Sequence, residues 1–169
     1  MTPAPSPSPV LDRAMSLARI DLAPDTHRPP RARNVVVATV MAIVGSLIAD
    51  AVLVAVGEVV FPSTKGYVHF QFADYTKLTV VGVVIACLAW PVVTRISSAP
   101  RWLFLRLAVL VTAVLLLPDL WLLVRGAPPL AVLVLVLMHL AIAVVTYTSL
   151  VHLAPVRRRR RRITPDAPA

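Results

Sequence analysis

Cysteine appears once, at Cys87, inside an apolar run. A lone thiol excludes a disulfide, a CxxC redox pair and a cysteine-rich zinc site. Charge is scarce as well. Only 15% of the residues are charged, and eight acids face seventeen lysines and arginines. So little charge is wrong for a soluble protein of this size. Catalytic signatures are missing too: there is no Ser/His/Asp order, no HExxH, no glycine-rich phosphate loop and no catalytic cysteine pair. The expectation is a non-enzymatic chain with no cofactor and no metal. Lipid-modifying chemistry is the enzymatic alternative.

What the chain does have is long apolar stretches, which raise its hydrophobic share to 58%. Four runs, 35–61, 78–96, 102–124 and 130–153, each approach or exceed the ~20 apolar residues a helix needs to cross a hydrocarbon core. The predicted fold is all-α, a four-helix transmembrane bundle over residues 34–154. It is flanked by a Pro-rich disordered tail (1–33) and a basic tail (155–169). No apolar core follows the start closely enough for a cleaved signal peptide, so the first run reads as a signal anchor.

The basic residues set the orientation. With the N-terminus inside, Arg13, Arg19, Arg28, Arg31, Arg33, Arg95, Arg101, Arg106 and Arg157 to Arg162 lie on the cytoplasmic side. Only Lys65, Lys77 and Arg125 lie opposite. This follows the positive-inside rule, with four spans and both termini in the cytoplasm of a bacterial inner membrane. Arg157, Arg158, Arg159, Arg160, Arg161 and Arg162 directly follow the last span, which places them at anionic lipid headgroups rather than on nucleic acid.

Two helices carry stripes of small residues that let a neighbour approach closely: Thr39, Ala42, Ser46, Asp50 and Gly57 on the first, Thr79, Gly82, Ala86 and Ala89 on the second. These stripes suit internal packing, a homo-oligomer or a membrane protein partner. The aromatic segment 61–77 between the first two spans reads as a headgroup belt, with a short extended stretch at 67–72. A lid using His69 and Asp74 is the other reading. Pro91 and Pro118 should kink their helices.

Charged groups in hydrocarbon are costly and default to functional candidates. At 1.5 Å of rise per residue, Asp50 lies roughly 16 Å deep, His139 roughly 15 Å and Asp119 roughly 9 Å, with Glu58 shallower. All four fall in the outer half. Asp50 and His139 form the natural pair, while Asp119 is within reach of water or Arg125. The candidate proton or cation site is therefore Asp50, Asp119 and His139. Interhelical hydrogen bonding is the structural alternative. A divalent metal held by the same three residues is disfavoured, because ligand spacing typical of a metal site is missing.

Leu117-Pro118-Asp119 and Leu137-Met138-His139-Leu140, over a likeness spanning residues 34–154, resemble an actinobacterial family of small four-span integral membrane proteins, a domain of unknown function. That resemblance implies a fold and a membrane address, and no activity. The leading functional expectation is a scaffold or regulator in the plasma membrane. The alternative is a proton-coupled small transporter. Four spans with an acid in the first are similar in plan to small multidrug exporters, from which this chain departs in having Asp50 rather than a glutamate, a longer first loop and long tails.

Overall fold

The computed structural model describes residues 13, 15–16, 27–67 and 71–158, with the side chains of His27, Asp74 and Arg158 left out. Four helices dominate: α1 (Ala32–Val60), α2 (Phe72–Ile96), α3 (Pro100–Val124) and α4 (Pro129–Leu153). All four are long and apolar enough to cross a membrane. Two-residue strands β1 (His27–Arg28) and β2 (Arg157–Arg158) pair antiparallel, so the segments just before α1 and just after α4 meet at one face of the bundle.

Proline sets several helix boundaries. Pro100 and Pro129 sit at the first turns of α3 and α4, where the missing N–H has no intrahelical partner to lose. α1 ends at Val60 with Phe61 as its C-cap, and Pro62 opens a short 3-10 turn to Thr64. After α3, Gly126 takes φ +88°, and Gly126 N–H and Ala127 N–H donate to the carbonyls of Leu123 and Leu122. That is a Schellman closure, which satisfies two otherwise orphaned carbonyls and turns the chain into α4. Pro91 and Pro118 both lie inside unbroken helices.

Two boundaries depart from the sequence expectation. α2 starts at Phe72 rather than at 78, because 72–77 winds into a helical turn ahead of the apolar run. Tyr67 and Gln71 are not in a strand. Residues 68–70, including His69, lie outside the described residues.

α1 and α4 form the central pair, α2 packs on α1, and α3 packs on α4. The seam between α1 and α4 is tight. A Cβ on Gly57 would stand 2.8 Å from Val134 Cγ2, and one on Gly45 would stand 3.0 Å from Val145 Cγ1. Close van der Waals approach is what holds helices together where lipid removes the hydrophobic drive. The α1 stripe behaves largely as expected, with Ala42, Ser46, Asp50 and Gly57 buried and Thr39 half-buried. The α2 stripe does so only in part: Thr79 is buried, Ala86 and Ala89 are half-buried, and Gly82 is exposed. α2 buries Thr79, Val83, Cys87 and Trp90, while a Cβ on Gly82 would meet nothing within 4 Å.

The interior is layered. Near the terminal face, Ala38, Ala42, Val83, Cys87, Trp90, Phe104 and Leu150 form one apolar cluster. Within it Trp90 meets Phe104 edge-on at 5.0 Å, and Phe104 stacks on Tyr147 at 5.9 Å. At the loop end, Tyr75, Ala131, Val134, Leu135 and Met138 form a second cluster. Between the two lie Ser46 and Asp50 of α1, Thr79 of α2 and Thr146 of α4, all buried. A polar layer is sealed between two apolar ones.

Candidate functional site

Asp50 faces the interior because it continues the Ala38–Ala42–Ser46 stripe by one more turn. Its side chain is fully buried. Thr79 Oγ1–H donates to Asp50 Oδ2 at 2.8 Å, linking α1 to α2. Asp50 Oδ1 is buried without a hydrogen-bond partner.

His139 sits on the α3-facing side of α4. Its Nδ1 lies 3.0 Å from the Leu135 carbonyl and 3.1 Å from Asp119 Oδ2. Both neighbours are acceptors, so Nδ1 carries the proton. The hydrogen bond goes to the carbonyl one turn back, and the carboxylate is a close electrostatic partner. The pair is largely withdrawn from solvent, with side-chain exposures of 27% for His139 and 7% for Asp119.

This arrangement corrects two sequence expectations. The close partner of His139 is Asp119, and Asp50 instead takes a hydroxyl from α2. Asp50 and His139 remain within electrostatic range of one another. The Arg125 guanidinium lies over the Trp121 ring, 4.9 Å from the centroid. Asp119 is buried rather than water-exposed.

Aromatic groups border the site from the loop end. Tyr67 packs against the cluster containing Leu135 and Met138. Burial, and after it the nearby Asp119 carboxylate, push the Tyr67 phenol above the usual tyrosine range. Tyr75, one turn before Thr79 on α2, lies within electrostatic range of Asp50. Glu58 is half-buried farther along α1 and belongs to neither pair.

Sequence reasoning found Asp50, Asp119 and His139 but did not give Thr79 or Tyr67 a role at the site. Thr79 was legible only as a small residue, although a threonine on a stripe facing an acid is a recognisable donor. The structure brings the three candidates together as two linked sub-sites. Among the described residues, no three His, Cys, Asp or Glu side chains group as metal ligands. Arg157 is exposed, its Cα paired with that of Arg28 in the β1–β2 ladder, and Arg159 to Arg162 lie outside the described residues.

Residues 26–160 match the Family of unknown function DUF6069. The chain belongs to that family. The DUF6069 match takes in all four helices and both strands, and it reaches into the arginine run. It is therefore wider than the 34–154 likeness legible in the sequence. Comparison with curated proteins and with solved structures returns no match.

Proposed function

We propose that this DUF6069 chain is a non-enzymatic scaffold or regulator in a bacterial plasma membrane, with both termini cytoplasmic and the arginine tail on anionic headgroups. The observation that carries this reading is the exposure of α3. In its most apolar window only 6% of the helix is buried, against 22% to 33% in the other three. Val109, Leu110, Val114, Leu117 and Trp121 all point outward. A helix that spends so little of its surface on its own bundle presents the rest to lipid or to another membrane helix. A photo-crosslinking residue at position 109 or 117, in cells, tests this against position 52 on α1. Discrete protein adducts from α3 positions alone support it. Adducts to lipid only, from all three positions, would count against it.

A second reading, a proton-coupled small transporter using Asp50, Asp119 and His139, is favoured by the buried Asp50 oxygen without a partner. Buried ionisable groups inside a membrane bundle commonly mark ion pathways. Flux driven by a pH gradient in vesicles, abolished by Asp50→Asn, would support it. A protein that dissipates no gradient with any tested cation would exclude it.

A further inference from the structure

The polar layer holds more unsatisfied oxygen than a helical bundle needs. Ser46 Oγ, Asp50 Oδ1 and Thr146 Oγ1 are all buried without a hydrogen-bond partner, on residues that are 0%, 0% and 5% exposed. Helical hydroxyls usually escape this by bonding the carbonyl one turn back. Thr39 does so on α1, to Val35 O at 2.8 Å, and Thr148 does so on α4, to Val144 O at 2.7 Å. Ser46 and Thr146 make no such bond.

The register sets these residues at neighbouring levels of the bundle. Gly45 abuts Val145, and Gly57 abuts Val134. The two helices therefore run antiparallel with Ser46 and Thr146 at one level. Asp50 lies one turn along the same stripe. Ser46 is also the midpoint of Ala32–Val60, so this level is the middle of the span. Thr79 occupies Oδ2 of Asp50, which leaves the lone pairs of Oδ1 for something else.

The donor set is chemically narrow: one carboxylate oxygen and two hydroxyl oxygens, with no sulfur or imidazole among them. Hard oxygen donors suit hard cations. A single carboxylate balances a single positive charge, and a divalent ion would leave net charge in the middle of the span, where it is heavily penalised. We propose that Ser46, Asp50 and Thr146 form a buried seat for a small monovalent cation, Na⁺, with Thr79 as a positioning residue that holds the carboxylate. The proposal rests on the ion-coupled reading and narrows it to a named ion and named ligands. Binding alone defines the site, so a protein that binds Na⁺ without transporting it would overturn the transport reading and leave the seat intact.

The test is thermal unfolding of the full-length protein in neutral-lipid nanodiscs, in NaCl or choline chloride at matched ionic strength. An ion that binds only the folded state raises the melting temperature with its concentration. The expected result is such a rise in Na⁺ and none in choline. Ser46→Ala and Thr146→Val should each raise the Na⁺ concentration for half the shift about tenfold, the loss of roughly one good interaction. In choline these two variants should melt at or above wild type, because each removes an unpaired buried hydroxyl. Asp50→Asn should abolish the Na⁺ shift. Thr39→Val, which removes a hydroxyl satisfied by its own helix, should keep it. Equal melting of wild type in Na⁺ and choline would overturn the proposal. So would a shift undiminished in Ser46→Ala and Thr146→Val. A melting temperature that follows pH but not Na⁺ would overturn it as well, and would make Asp50 a proton carrier only.

Discussion

His139 Nδ1 lies 3.1 Å from Asp119 Oδ2, across the interface between α4 and the sparsely packed α3. Removing one member of a buried polar pair leaves the other desolvated without its partner, and that costs far more than the pair itself contributes. His139→Leu should therefore lower stability by about 1–3 kcal/mol. Asp119→Leu combined with His139→Leu should recover most of that loss, to within about 1 kcal/mol of wild type. Unfolding of the three variants in detergent measures the coupling. If the double variant simply adds two losses, the contact is not a coupled pair.

Gly57 and Gly82 should respond oppositely to the same substitution. Gly57→Ala drives a methyl to 2.8 Å from Val134 Cγ2, which should destabilise the α1–α4 seam by about 1–3 kcal/mol. Adding Val134→Ala should relieve the clash. Gly82→Ala meets nothing within 4 Å and should be neutral or stabilising by up to about 1 kcal/mol, because alanine is the better helix former. Melting temperatures of the single variants and of the Gly57–Val134 double variant decide this.

Trp90 Nε1–H donates to the Ala154 carbonyl at 2.9 Å, with both residues fully buried. The bond satisfies a carbonyl just beyond the end of α4. Trp90→Phe keeps an aromatic ring against Phe104 but leaves that carbonyl unpaired, at a cost of about 1–3 kcal/mol. The local signature should be faster amide exchange over the last turn of α4, with exchange in α1 unchanged. Uniformly faster exchange would instead point to a general loss of packing.

Tyr67 gives a pH prediction outside the spans. Burial and then the Asp119 carboxylate hold its phenol above the usual range. The folded state thus keeps a proton that the unfolded chain releases near pH 10. That contribution to stability is present below the unfolded pKa and is lost as pH rises through the higher folded one. Tyrosinate absorbance, taken as wild type minus Tyr67→Phe, should titrate above free tyrosine. Asp119→Asn should bring it part of the way back, since burial remains. An unchanged titration in Asp119→Asn would remove the carboxylate as a cause.

The sequence by itself determined the four helices and most of their ends. A bilayer core admits few ways to satisfy a backbone, so an apolar run long enough to span must be helical. Prolines at 62, 100 and 129 punctuate those runs whatever surrounds them. The small residues facing α4 were legible on α1, because Ala42, Ser46, Asp50 and Gly57 repeat at helical spacing. On α2 the same reasoning placed Thr79 correctly but misjudged Gly82, which is small yet faces outward, and it missed Val83, Cys87 and Trp90, which turn inward. Only the tertiary structure decided that, and only it decided that His139 pairs with Asp119 while Asp50 takes Thr79. Depth along each helix follows from counting residues. Which side chains meet at a given depth depends on how each helix is rotated and slid against its neighbours, and contacts such as Gly57 against Val134 set both at once.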